Sequence, residues 1–245
     1  MNQDIDDAQQ GWEAKPGTLQ ARLIEARDGR QVLQLRIDLG IMQIEISDRP
    51  DGTRPHGFPT YFDYLRQQAR VSKRAGHEFT LSEEQCEEAD REFVQYYHRR
   101  VGWLTLHSYA RAIADADHTL AFMDFIRDHS PNDEYTQAHE QNRGFVVFHR
   151  TQAAAALAIE QENPEAAIDA IHDGLDKLSA FFASFDATEQ MEADPMVEQL
   201  RKMDRSLREL HKIDATLQEQ LQQAVANEQY EAAAKLRDAL RRRKQ

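Results

Sequence analysis

Two groupings of side chains have types and spacing that could do chemistry. The first is the segment 48–59, DRPDGTRPHGFP, whose three prolines and two glycines mark it as a loop. It carries Arg49, Arg54 and His56. Two guanidinium groups and an imidazole converging on one loop would hold a phosphate or a carboxylate through charge-assisted hydrogen bonds. The second is Asp169 with His172, a carboxylate and an imidazole three residues apart on a helical segment. That spacing is half of a di-metal bundle motif, and the second half is not evident, so no metal site and no cofactor are expected. The chain holds no HExxH, GxSxG, GxGxxG or GxxxxGK[ST] pattern. On these grounds it reads as a non-enzyme, with a small-anion binder or enzyme centred on 48–59 as the alternative.

The elements that would position these residues are mostly helical. Ten glycines and seven prolines in 245 residues leave long uninterrupted stretches. Residues 1–16 are acidic and polar and read as disordered. Leu19, Ala21 and Leu23 then alternate with polar residues, and Leu33, Leu35, Ile37 and Leu39 alternate again after Asp28-Gly29. That is a β-hairpin signal. A further run, 41–47, follows Gly40, which is either a tight turn or a bulge in one long strand.

Helical spacing takes over at Tyr61, Tyr64, Leu65, Gln68 and Val71. Ser82 reads as a helix cap with acidic residues after it. The pattern Phe93, Tyr96, Tyr97, Val101, Leu104 and Ser108 carries a helix to about Ala114, since no proline or glycine run interrupts it. Segments 110–126 and 156–172 align at an offset of 46 residues, each read as a helix end, a polar turn and a second apolar helix. Pro164 stands where a helix can start. Across 92–180 these pairs are loosely similar to tetratricopeptide repeats, whose period is about 34 residues, and equally to a plain antiparallel bundle.

Segment 186–195 reads as a linker. Beyond it Met196, Leu200, Met203, Leu207 and Leu210 form a heptad seam. The step to Ile213, Leu217 and Leu221 breaks the heptad and looks like a three-residue stammer. The expected organisation is a disordered 1–16, a β element and loop over 17–58, a helical body over 59–185, a linker at 186–195, and a long helix with a helical hairpin over 196–245.

The hairpin at 217–240 is the most specific pattern in the chain. Leu217, Leu221, Ala224 and Val225 share one face of a first helix. Asn227 can take the left-handed conformation that ends it. Tyr230, Ala233, Leu236 and Leu240 share a face of the second, and Arg241, Arg242, Arg243 and Lys244 lie at its carbonyl end. A second helix of about a dozen residues is marginal alone in water, so its apolar stripe needs a covering surface. The run Asn227, Glu228, Tyr230, Glu231, Ala233, Ala234, Leu236, Arg237, Asp238 and Leu240 resembles the UVR motif, the helical hairpin of the UvrB and UvrC repair proteins that also occurs in stress proteins. The resemblance implies docking onto another protein: a matching hairpin or a second copy of the chain. It also implies that Leu217, Leu221, Val225, Tyr230, Ala233, Leu236 and Leu240 form the contact face, and that Glu231, Arg237 and Asp238 position the helices or pair across them. The ATPase, zinc-module and nuclease signatures of the motif's familiar owners are absent, so the resemblance carries binding alone.

The charge pattern agrees with a protein partner. The net charge is −13, divided as about −17 over the first 200 residues and about +4 over 201–245. An acidic body repels phosphates and argues against direct nucleic-acid binding. Cys86 is the single cysteine, which permits no internal disulfide and fits a reducing cytoplasm. No signal-peptide pattern and no membrane-length apolar run is present. The expectation is a mostly α cytoplasmic adaptor, either a helical bundle or a helical-repeat body, with a structural scaffold that self-associates as a further reading.

Overall fold

The computed structural model describes residues 5–243, the last without its side chain. It is mostly helical, with a small antiparallel sheet near the N-terminus and a helical pair at the C-terminus. The chain divides into two compact units, 1–146 and 147–245.

The first unit opens with a single helical turn, α1 (Asp6–Gln9), inside the segment expected to be disordered. The Arg22 guanidinium lies 4.0 Å over the Trp12 ring and donates to the Ala8 carbonyl. Residues 1–4 of that segment lie outside the described residues. Strands β1 (Gln20–Glu25), β2 (Gln31–Ile37) and β3 (Gly40–Glu45) form a sheet in sequence order. The Asp28-Gly29 signal is borne out: Glu25 pairs Gln31 across a loop in which Gly29 has φ +84°, a conformation that suits glycine. Gly40 pairs Ile37 across the two-residue turn Asp38-Leu39, so it begins a strand after a tight turn. The alternation is only half borne out. Leu33 and Leu35 are buried, but Ile37 is exposed and Leu39, at the turn itself, is 95% exposed.

Three helices follow: α2 (Tyr61–Arg74), α3 (Glu83–Thr105) and α4 (Tyr109–His129), with the short α5 (Asp133–Glu140) after them. Ser82 caps α3 in a full capping box with Gln85. The helix does not reach Ala114. His107 takes φ +56°, and Ser108 N–H bonds the Trp103 carbonyl while His107 N–H bonds Leu104. That Schellman closure ends α3 without a glycine. Phe62, Phe122 and Phe93 stack with centroids 4.6 Å apart in each successive pair, beside Leu65 and Ile126. At Gly102, α3 meets β2 so closely that a Cβ would stand 2.7 Å from a Leu33 methyl.

The second unit contains α6 (Arg143–Glu160) over 147–160, then α7 (Pro164–Ser184), α8 (Thr188–Met191), α9 (Pro195–His211), α10 (Leu217–Ala226) and α11 (Tyr230–Arg243). Pro164 stands at the first helical position and Asn163 caps Ala166 N–H, as the sequence indicates. Ala153, Ala155, Ile168, Ile171, Leu178, Val197 and Leu200 are buried.

Two sequence expectations fail here. Segment 110–126 lies inside the unbroken α4, whereas 156–172 crosses the turn between α6 and α7. The two segments are therefore not structural copies, and their likeness is one of small-residue composition. The stammer is also absent, because Lys212 at φ +54° ends α9 before Ile213. Val197 and Leu200 of α9 are buried while Leu210 is 75% exposed, so the seam is a helix face that packs on α7 over its first turns. Among the described residues no helix is long and apolar enough to cross a membrane.

Candidate functional site

The C-terminal hairpin is built from a firm base and a lightly packed tip. Thr216 caps α10 in a capping box: its hydroxyl accepts Glu219 N–H at 3.2 Å, and Glu219 Oε2 accepts Thr216 N–H at 2.7 Å. This Thr-Leu-Gln-Glu pattern is legible in the sequence as a helix start. At the other end of α10 the left-handed residue is Glu228, at φ +57°, one position after the expected Asn227 at φ −90°. Gln229 N–H reaches the Ala224 carbonyl at 2.8 Å and Glu228 N–H reaches Val225 at 3.0 Å, which is again a Schellman closure.

The two hairpin helices meet through alanines. Ala224 and Ala233 are buried, and Leu217, Leu221, Leu236 and Leu240 are half-buried. Val225, expected on the buried face, is 52% exposed, and Tyr230 is 68% exposed. A two-helix unit has room to enclose only one line of side chains, so the residues beside that line stay open. Glu231, Arg237 and Asp238 are exposed. Arg237 lies 3.7 Å from its neighbour Asp238, so no pairing across the helices is made by these two. The Arg243 side chain and Lys244 of the terminal basic run lie outside the described residues.

The base is polar and dense. The Thr216 hydroxyl donates to Asp169 Oδ1 at 2.7 Å, and Leu217 N–H donates to Glu165 at 3.3 Å, both on α7. Arg208 of α9 donates to Glu219 at 2.6 Å, to Asp204 at 3.0 Å and to the Asp214 carbonyl at 2.9 Å. His172 stands 3.2 Å from Asp204 and 3.5 Å from Glu219. Burial pushes the Asp169 carboxyl up from its usual range, against the Thr216 hydrogen bond that lowers it. At Glu219 burial also pushes upward, but the Arg208 hydrogen bond and the Thr216 N–H more than offset it and hold the carboxyl low. Asp169 and His172 are thus used to fasten the hairpin. Among the described residues no group of three or more His, Cys, Asp or Glu is placed to hold a metal.

The 48–59 loop does not assemble an anion site. Arg49 is 3% exposed and lies 2.5 Å from Glu88, 3.4 Å from Glu92 and 3.5 Å from Asp51. Its charge is answered from within the fold, by the neighbouring Asp51 and by two carboxylates some forty residues along the chain. Arg54 faces solvent beside Asp48 at 3.3 Å. His56, at φ +50°, stacks on Tyr64 with centroids 3.9 Å apart. The three side chains expected to converge are held by three different sets of neighbours.

Arg49 instead belongs to a buried network that sequence reading missed. Glu92, fully buried, accepts the N–H groups of Tyr61 at 2.6 Å and Phe62 at 3.2 Å, the first turn of α2, and lies 3.1 Å from His118. Arg99 binds Asp115 at 2.7 Å and the carbonyls of Glu45 and Asp48. No local spacing signals these links, which join residues far apart in sequence.

With this geometry in hand, the comparison with known families is specific to one segment. Residues 215–245 match the family described as the UvrB/uvrC motif, a small motif of protein interaction rather than catalysis. The match begins one residue before the Thr216 cap and covers both hairpin helices. No curated protein and no solved structure matches the chain.

Proposed function

We propose that this protein is a non-catalytic adaptor that binds a protein partner through the open face of its C-terminal hairpin. The carrying observation is the coincidence of the UvrB/uvrC-motif match at 215–245 with a hairpin whose Val225 and Tyr230 remain exposed. Exposed aromatic and branched side chains beside a tightly closed alanine contact give a partner an apolar anchor at little ordering cost. Leu217, Leu221, Ala233, Leu236 and Leu240 line or support that face, and Glu231, Arg237 and Asp238 border it. The partner is another hairpin of the same kind or a second copy of this chain, in excision repair or protein quality control. The acidic charge of the body disfavours nucleic acid as the direct ligand. We assign the protein to the cytoplasm, a reading supported by its one cysteine, buried and free.

The test is a photo-crosslinking residue at position 230 in the full chain, compared with one at Arg91, which is also exposed. Adducts at 230 with a hairpin-bearing protein, or with a second copy of the chain, are expected, and Leu221→Asp should abolish them. Equal yields from the two positions would remove the hairpin as the binding surface.

A further inference from the structure

A second recognition feature lies wholly within the first unit, where α2 ends. Gly76, at φ +77°, turns the chain back there. The segment that follows is fastened to both α2 and α4. The Ser72 hydroxyl reaches the His77 carbonyl at 3.2 Å and the Glu78 carbonyl at 3.3 Å, and His77 N–H donates to the Ser72 carbonyl at 3.0 Å. Leu81 N–H donates to the His129 carbonyl at 2.9 Å, and His129 Nδ1–H donates to the Phe79 carbonyl at 3.0 Å. Between α2, this segment and the end of α4 the fold leaves a concavity of about 690 Å³, within the range of small-molecule sites. Its walls are fixed by backbone bonds, so a ligand would have little to order on entering.

The walls differ in chemistry. On α2, Arg66, Ala69, Arg70 and Lys73 share one face at helical spacing, and the small Ala69 leaves room between the long side chains. Arg66 lies 3.9 Å from Asp63. Arg70 and Lys73 are exposed and meet no carboxylate among the described residues. In a chain with 43 Asp and Glu against 30 Lys and Arg, this wall reverses the local sign. A second wall is aromatic. The ring of His129 stands 4.4 Å from Phe125 and 5.5 Å from Phe79, centroid to centroid, and Phe79 is only half-buried. Glu78 and Asp128, both exposed, also line the concavity, and neither is ion-paired with the α2 cations. Cations, flat apolar surface and carboxylate acceptors thus face one space without cancelling one another.

We propose that this concavity binds a free nucleoside phosphate, its phosphate toward Arg70 and Lys73, its base against Phe79 and His129, and the N–H groups of the base toward Glu78 and Asp128. Arginine and lysine are the usual partners of phosphate oxygens. Inorganic phosphate would use only the cationic wall, and an uncharged ring only the aromatic one. The site does not rest on the adaptor function.

The experiment titrates the full chain, by calorimetry at one ionic strength, with adenosine monophosphate, adenosine and inorganic phosphate. The expected result is one monophosphate bound per chain, about tenfold tighter than adenosine or phosphate, the worth of one charge-assisted contact. Arg70→Gln with Lys73→Gln, both at exposed positions, should bring the monophosphate down to the level of adenosine and leave adenosine unchanged. Ala69→Leu, which fills the space between the cations, should weaken both nucleosides and spare phosphate; circular dichroism checks that it folds, and the Arg70 and Lys73 variant decides the matter if it does not. Lys15→Gln with Arg27→Gln removes the same charge at other exposed positions and should change nothing. An oligoadenylate of about ten residues should gain no more than about tenfold over the monophosphate, from its number of equivalent nucleotides alone. Absence of monophosphate binding, equal affinity for the monophosphate and either fragment, or equal weakening by the Lys15 and Arg27 variant would each overturn the proposal. A larger gain by the oligomer would overturn it in favour of RNA.

Discussion

Replacing Thr216 by valine tests whether the hairpin is held by its base. Valine nearly matches threonine in shape and puts a methyl, which neither donates nor accepts, in place of the hydroxyl. Thr216 is fully buried, and that hydroxyl both accepts Glu219 N–H at 3.2 Å and donates to Asp169 at 2.7 Å. Loss of a helix cap costs about 1 kcal/mol. Leaving a half-buried carboxylate one donor short costs about 1 kcal/mol more. The sum, about 2 kcal/mol, falls on the step that frees α10 from α7, so the opening equilibrium should shift about thirtyfold. Hydrogen exchange followed by mass spectrometry on peptides from 214–229 of the full chain reads that shift directly. Exchange there should quicken about thirtyfold, while peptides from α7 and α9 stay as protected as in the parent. Thr216→Ser, which keeps the hydroxyl, should recover most of the protection. Unchanged exchange in the valine variant, or a serine variant as labile as valine, would refute the reasoning.

Further substitutions probe the rest of the structure. Glu92→Ala should lower the stability of the first unit by about 3–5 kcal/mol, because it strips two α2 N–H groups of their acceptor and the buried Arg49 of one of its facing carboxylates; a calorimetric change below about 1 kcal/mol would show the network to be dispensable. Gly174→Ala drives a methyl into Thr151 across α6 and α7. It should cost about 1–3 kcal/mol in urea unfolding, largely restored by adding Thr151→Ala, and no recovery in the double variant would count against that contact. The Glu219 carboxyl is held low in the fold, so its stabilisation is present above the ordinary 4.5 and disappears as pH falls through the depressed value. The stability gap between the parent and Glu219→Gln should therefore be open at about pH 7 and narrow progressively as pH falls below the ordinary 4.5. Asp169, held high by burial, acts in the opposite sense in both proteins. The Glu219 charge also helps to raise Asp169, so the gap carries a smaller opposing contribution from that neighbour; a gap that stays undiminished in acid would contradict the assignment.

The features legible in the sequence are those whose cause is local. The Asp28-Gly29 turn, the Ser82 cap with Gln85 and the Pro164 helix start each act within a few residues, and each reads correctly. The hairpin at 217–240 is legible for the same reason, since its motif falls in one short stretch, although its left-handed residue is Glu228 rather than Asn227. Two kinds of feature escape. Helix ends at His107 and Lys212 use left-handed backbone without glycine, so nothing in residue type marks the break, and the helical and heptad periodicities run on past the true ends of α3 and α9. The other kind depends on distant partners. Arg49 on a glycine- and proline-rich loop has the look of a solvent-facing ligand group, until Glu88 and Glu92 of α3 claim it. Val225 shows a subtler limit: helical periodicity assigns it to the apolar stripe, but which edge of the stripe faces α11 depends on how the two helices are rotated together.

The non-glycine helix closures have a mechanical meaning. His107, Glu162, Asp186, Lys212 and Glu228 all hold φ between +53° and +57°, each at the end of a helix. A side chain there costs on the order of 1 kcal/mol relative to relaxed backbone. The strain sits in the corners, while the helices between them are regular. Glu228, at the tip of the hairpin, is the corner about 15 Å of helix away from the Thr216 base, ten residues at 1.5 Å each. The tip of the hairpin is thus closed by strained backbone and two backbone hydrogen bonds, and its base by a network of side chains.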